Sequence, residues 1–576
     1  MANIKFSQFT TKTDPANVDF LVGYLGGDNV KIDPANLGGG GASDLNGLSD
    51  CLVDTDSLYI AEVPSGLSGN PQGNTVMGID AGAALTSGTN NTFIGNDAGL
   101  VATTTTHNVL IGFQAGKGIT TTSKQNNVAI GANTFDIAAG QNSVVVGYQA
   151  GRISSVASGV YIGYQAGWAN AGGNNVGIGY ESLFGGGGAN SVGYGYQTAK
   201  NNTASGHTSI GYQAGFSQTS GAENTNIGYL AGYDNTTNGS RTCVGYEAGR
   251  LSTGAWNTMV GAYAGRKITG SGCVAIGRNA LLNNTSGANN VAIGHAAGNW
   301  TATGGENTFV GTGAGRQNST GGSNTAVGYE ALFFNLGSNN TCIGRSSGGY
   351  VTTTSDNTFL GYQAGKGKTS GTVSGASNVA IGSDCFTTMV SASNNVVIGY
   401  RTLGGVGEQT GNNNTFVGNS IYFNAYFSGS NTTALGNGAN PSAQNVSNEI
   451  TLGNSSIGTL RCQQTSITSL SDQRDKKDIE TIPYGLDFVN SLKPKKFVWD
   501  NRAETDGEGK EFYSSNKGKK DIGFIAQELQ TVDDDYLNLV YDANPEKLEA
   551  TYGKLIPVLV KAIQDLSAKV TALENA

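Results

Sequence analysis

Residues 91–95 read NTFIG, residues 127–131 and 290–294 both read NVAIG, and residues 414–418 read NTFVG. The pentamer recurs through the middle of the chain, and its period decides the fold. Alignment on the closing glycine gives 23 copies between Gly78 and Gly453, with a mean spacing of about 17 residues. Three residues before that glycine every copy carries Val, Thr or Ile. One residue before it, 22 of the 23 are aliphatic, Tyr194 being the exception. Between them the type varies freely: Phe93, Ala129, Ser209, Asn226, Cys342. Such period-two alternation specifies a strand with one strongly constrained face, and β-branched residues suit it. Four residues before the glycine, 15 of the 23 copies carry Asn, a residue that turns the chain and stacks in ladders. The glycine permits a bend that a side chain would block. A second short element, YQAG or YEAG, often follows.

Helical repeats run to roughly 30 residues or more, so a period near 17 excludes them. It fits one coil of a parallel β-solenoid with two short strands and two turns. The expected fold class is mainly β: a long β-solenoid rod over 71–456, and a small α+β C-terminal domain. Each coil is thin, so a homotrimer is expected, with the variable face packed against neighbouring subunits. A segment such as GYQAGKGKT at 361–369 imitates a phosphate loop, but position 362 is Tyr where that motif requires Gly.

The composition breaks near residue 470. Of the 75 Asp, Glu, Lys and Arg residues, 35 fall in 471–576, whereas only 6 of the 89 glycines do, so a second domain starts there. The net charge of −9 and the lack of a long basic run argue against a nucleic-acid partner. No apolar run reaches the length of a membrane span, and residues 1–20 lack the apolar stretch of a secretory signal, so folding in a cytoplasm is expected. Cysteines 51, 243, 273, 342, 385 and 462 and histidines 107, 207 and 295 lie too far apart for a zinc motif; no metal and no cofactor is expected. The cysteines read as small buried apolar groups.

Residues 1–70 hold the hairpin signal VDFLVGYLGGDNVKI, then the flexible linker LGGGGAS at 37–43. Residues 44–70 read as a small cap, and residues 457–470 as a linker. At the other end Ile556, Leu559, Ile563, Leu566, Val570 and Leu573 are spaced 3, 4, 3, 4, 3, the seam of a short coiled coil.

The NVAIG repeats over about 70–456 resemble the head repeats of trimeric autotransporter adhesins, which form a parallel β-roll; their period there is shorter and more regular. The sequences SDQRDKKDI, LKPKKFVWD and GFIAQEL, with the terminal heptads, resemble the intramolecular chaperone auto-processing domain of bacteriophage fibres and endosialidase tailspikes. That resemblance implies a domain, 471–576, which trimerises the shaft and then cuts itself off between Leu470 and Ser471. It implies Ser471 as nucleophile and Lys476 as base, in a single-turnover serine endopeptidase. A serine hydroxyl needs a base, and a lysine of lowered pKa can supply one. The opening residues resemble the virion-attachment segment of phage fibres. The expected function is a trimeric tail fibre, assembled in the host cytoplasm and carried on the virion. It would join a tail or baseplate protein through its N-terminus and contact a host surface glycan or protein receptor, with aromatics near IYFNAYF at 421–427 as contact candidates. Two alternatives stay open. One is a bacterial trimeric surface adhesin. The other is a polysaccharide-degrading tailspike, in which isolated acids such as Asp97, Glu181, Glu247 and Glu330 would meet across subunits.

Overall fold

A computed structural model describes residues 64–461 and 471–576 apart from short segments, and the strands Leu21–Leu25, Asp28–Ile32, Cys51–Asp54 and Ser57–Ala61. The segments outside the description are 69–70, 121–123, 137–139, 155–156, 171, 187, 369–371, 423–424, 458, 501, 503, 506–510, 513–515, 543–544 and 547. Leu470 lies outside it too.

The fold is mainly β, a parallel β-solenoid, and the chain divides into two compact units at Gly305. In the first unit fourteen strands, Thr75–Gly78 through Val291–Ile293, stack in parallel and in register, as in Val160↔Val176 and Ile162↔Ile178. Strand Ser57–Ala61 extends this stack on its first side, pairing in parallel with Thr75–Gly78 and antiparallel with Cys51–Asp54. The expected N-terminal hairpin is present: Leu21–Leu25 pairs antiparallel with Asp28–Ile32. The second unit carries nine strands of the same kind, Thr308–Val310 through Ile450–Leu452.

Two devices tie coil to coil. The first is a side-chain ladder at the repeat's Asn position. In the second unit the Oδ1 atoms of Asn340, Asn357, Asn378 and Asn395 accept the backbone N–H of the next ladder residue, Asn357, Asn378, Asn395 and Asn414, at 2.9–3.1 Å. The amide nitrogen donates to a backbone carbonyl of that same following coil, as in Asn324 Nδ2 to the Gly337 carbonyl at 3.0 Å. Both ends of a buried amide are thereby satisfied, which removes the cost of burying it. The second device is the closing glycine. Gly228 has φ of +135°, and a Cβ there would lie 2.4 Å from the carbonyl oxygen of Gly245 in the next coil. The position needs a glycine on both counts, dihedral and space.

The expectation for the strand faces is corrected. The variable middle residue points into its own coil, as in Thr92–Ile94 and Val109–Ile111, where it is buried and both flanking residues are half-exposed. Its freedom has a packing origin: interior volume is balanced between neighbouring coils, so no single position is fixed. Tyr161 fills the space left by Gly167 and Gly177, where a Cβ would come within 2.3 Å and 3.2 Å of its ring. The constrained Val, Thr and Ile rows face outward instead. Ile162, Ile276 and Ile293 are each 37–38% exposed.

The second element is also corrected. YQAG forms tight turns rather than a strand, because Gln165 at φ +53° and Gly167 at φ +61° both take the left-handed conformation. Its tyrosines nevertheless stack from coil to coil. Tyr148, Tyr164, Tyr180, Tyr196, Tyr212, Tyr229 and Tyr246 form a half-exposed column with ring centroids 5.0–5.4 Å apart. Cys243, Cys273, Cys342 and Cys385 are buried free thiols, as read from the sequence.

Residues 471–576 in the second unit form a small α+β domain. Strand Lys495–Val498 pairs antiparallel with Lys520–Gly523. Helix α1 (Leu486–Ser491) packs on helix α3 (Leu555–Glu574), with the short α2 (Ala526–Leu529) between them in sequence. Pro557 lies in the first turn of α3, where its missing N–H removes no helical bond. Leu555 and Val558 of α3 join Leu529, Leu537 and Leu539 in the domain's core.

Two consequences are measurable. Gly228→Ala should lower shaft stability by about 3 kcal/mol or more, read as a drop in the denaturation midpoint. His207 replaces the ladder Asn in its coil, and its Nδ1 accepts the Asn224 N–H at 3.3 Å. Burial pushes this imidazole down to about 4. The unfolded state therefore binds the extra proton between about pH 6.5 and 4, and stability should fall by roughly 3 kcal/mol as the pH drops through that window. His207→Asn should abolish that acid loss, because Asn carries no charge to bury; thermal midpoints between pH 7 and 4 check it.

Candidate functional site

The dyad named from the sequence is brought together by local structure. Asp472 caps a 3₁₀ turn, Gln473–Asp475, accepting the Arg474 N–H through Oδ1 at 2.9 Å. The Arg474 guanidinium grips the same carboxylate through Nε and Nη2, at 3.1 Å and 2.6 Å. This bidentate pair holds the Asp472 carboxyl below the usual carboxylate range, first through the side-chain bond and then through the backbone one. The Lys476 N–H closes the turn on the Gln473 carbonyl at 3.1 Å. Reversing the chain over these residues places Lys476 Nζ 2.5 Å from Ser471 Oγ. The spacing of five residues is what one 3₁₀ turn needs to make the two side chains meet.

The geometry suits proton transfer from serine to lysine, because the two atoms are already in hydrogen-bond contact. The surroundings are open: residues 471–480 are all exposed. A lysine acts as a base only when neutral, and desolvation is the usual means of making it so. In a single chain that desolvation is missing among the described residues. Leu470, the residue expected before the cut, lies outside the described residues.

Residues 471–538 match the family model described as the chaperone of endosialidase. The match opens on Ser471 itself and covers the dyad, the 3₁₀ turn, α1 and α2. Neither the comparison with curated proteins nor that with solved structures gives a match.

The coiled-coil candidates are found together on one helix. Ile556, Leu559, Ile563, Leu566, Val570 and Leu573 all lie on α3 and are all exposed, between 44% and 78%. An adjoining side of α3, one residue earlier in the heptad and so about 100° round the helix, is buried in the domain through Leu555, Val558 and Ala562. The helix thus has two apolar faces and uses one of them internally.

Other candidates do not assemble. In the stretch 421–427, Ile421, Tyr422 and Phe427 are buried, and the Phe427 ring packs edge-on against Phe416 at 5.1 Å; of the described residues there, Tyr426 is the aromatic that faces solvent. Tyr422 and Phe427 therefore fill the interior of a coil, and Tyr426 is the contact candidate of that stretch left at the surface among the described residues. Three of the four isolated acids take cations or amides as partners. Glu181 pairs with Lys200 at 2.6 Å, Glu247 with Arg250 and Arg266 at 3.2 Å and 2.7 Å, and Asp97 accepts from Gln114 at 3.0 Å. Among the described residues no group of three or more His, Cys, Asp and Glu is placed to hold a metal ion, and no helix is long and apolar enough to cross a membrane. The reading of residues overlooked the tyrosine column, although Tyr directly after the closing glycine in consecutive copies was its signal.

If Ser471 is the nucleophile, Ser471→Ala should yield a single full-length species by intact mass, while the unmutated chain yields two fragments split before residue 471. Lys476→Ala should behave as Ser471→Ala does, and Lys476→Arg should not restore cleavage, since guanidinium does not give up its proton.

Proposed function

We propose that the chain is the subunit of a homotrimeric bacteriophage tail fibre, whose residues 471–576 align three shafts and then cut themselves off between Leu470 and Ser471. The observation that carries this reading is the coincidence at Ser471: the chaperone family match begins there, and Lys476 already touches its hydroxyl. The shaft supports a trimer independently. Its outward rows of Val, Thr and Ile form an apolar sheet face that repeats with every coil. Exposed apolar area on that scale is rare in monomers. A second copy of the chain offers the same uncharged rows at the same pitch, and the open seam on α3 offers a parallel contact at the end of the chain. Closure of the three C-terminal domains would desolvate the Ser471–Lys476 pair, coupling cleavage to assembly. The N-terminus is assigned to the virion and the shaft to a host receptor, a glycan or a protein. The private cation or amide partners of Glu181, Glu247 and Asp97 weigh against a hydrolytic carboxylate pair in a groove.

The test is the molar mass of the assembled particle by light scattering, using Ser471→Ala to keep the chain whole. The expected value is three times the 59.0 kDa chain. Ile276→Lys, which sets a charge on the outward face, should lower it or send the protein into aggregates. A monomer of unaltered solubility in both cases would overturn the trimer.

A further inference from the structure

One interior position of the shaft carries a charge that its surroundings do not offset. Four residues before Gly245, where 15 of the 23 coils carry Asn, stands Arg241, and it is 1% exposed. It keeps half of the ladder, donating its backbone N–H to Asn224 Oδ1 at 3.0 Å. A guanidinium has donors only, so it cannot accept the N–H of Asn257, the next ladder residue, as an Asn would. The side chain turns into its own coil instead. Nη1 reaches the Ser252 carbonyl at 2.9 Å, and Nη2 reaches the Gly249 carbonyl at 3.4 Å and Cys243 Sγ at 3.8 Å. Two donors of this coil stay buried without a partner, Arg241 Nε–H and the Ser252 hydroxyl.

Arginine keeps its proton at any pH at which the protein is folded, so the charge stays. A buried cation needs a counter-charge, because neutral carbonyls do not replace what water supplied. The groups nearby do not provide one. Cys243 would have to be a thiolate, but burial pushes its thiol up against the opposing pull of Arg241. Glu247, two residues past the closing glycine, already holds both Arg250 and Arg266, at 3.2 Å and 2.7 Å. Among the described residues Arg241 has no ion pair.

We propose that Arg241 holds one small monovalent anion, such as chloride, inside the shaft, bound by its Nε–H and the Ser252 hydroxyl. The donors set the chemical class. One positive charge calls for one negative charge, and a spherical halide accepts from any direction. Carboxylate and phosphate oxygens ask instead for paired, planar donors, and both Nη atoms are already taken by carbonyls. Arg241 and Ser252 are both cut off from solvent, so the ion is enclosed as the coils stack and leaves when they part. The site belongs to the shaft alone and does not depend on the tail-fibre reading.

The test uses the full chain with Ser471→Ala, purified in sodium chloride and dialysed exhaustively into sodium gluconate of equal ionic strength. If the coils lock the ion in, unfolding in urea should release about one chloride per chain, measured by ion chromatography. If the ion exchanges, the thermal midpoint should rise with chloride at constant ionic strength. Arg241→Asn should remove whichever effect is found, and Asn is the residue that most coils carry there. Ser252→Ala keeps the charge and should weaken chloride binding about tenfold, through the loss of one charge-assisted hydrogen bond. Circular dichroism confirms that each variant is folded. Absence of both released chloride and a chloride-dependent midpoint would overturn the proposal and leave the guanidinium to water alone. Equal release or equal dependence in folded Arg241→Asn would overturn it too.

Discussion

The closing glycine of each coil is the constraint on which the shaft depends. At Gly95 through Gly382 the backbone takes φ values of 126–138°, and a Cβ would strike the next glycine's carbonyl within 2.2–2.7 Å. Backbones can approach so closely only if every coil turns at the same point and by the same amount. The three-residue strands then fall into parallel register, and the Asn side chains line up to cap one another's N–H groups. The hydrophobic interior follows from this stacking and does not direct it: the core residues range from Ala129 to Tyr161 and need only fill the volume left by their neighbours.

A lattice of this kind is stable once formed and poorly addressed while forming. The hydrogen bonds between one pair of coils are interchangeable with those of any other, so backbone pairing supplies little register information. What discriminates is sparse: large interior rings set against glycines, and polar substitutes in the ladder such as His207 and Arg241. Long-range parallel pairing is slow for the same reason, because loop closure precedes the contacts that offset it. A separate domain that fixes one end answers this difficulty, and a domain matching a chaperone family at 471–538 directly follows the repeats.

The outward face carries the complementary lesson. Strict preference for Val, Thr and Ile at half-exposed positions exceeds what a solvated strand requires. The tyrosine column adjoins it, with ring faces hidden against each other and edges and hydroxyls outward. Cations sit among the aromatic rows as well: Lys200 lies over the Phe184 and Phe216 rings at 5.4 Å and 5.9 Å while bonded to Glu181. The exposed surface is therefore built of stacked like residues, a pattern that stabilises each coil only through its neighbours.

The amino-acid sequence alone determined the repeat, its strand, the need for glycine and the Asn ladder, because all four are local and recur through the 23 copies, the Asn in 15 of them. The Ser471–Lys476 pair was named by the resemblance to the chaperone domain, since the residues alone read as a solvated turn, whereas the α3 seam followed from the heptad, which is a short-range geometry. It misassigned which strand face is inside, because alternation identifies two faces without saying which one meets the coil's own interior. It expected two strands in each coil, whereas the second element, YQAG, makes tight turns, because left-handed Gln165 is a dihedral that tertiary stacking imposes on an ordinary residue. Only the folded chain could bring Tyr541 to Glu449, 92 residues apart, since no periodicity links an end coil to the domain that closes on it.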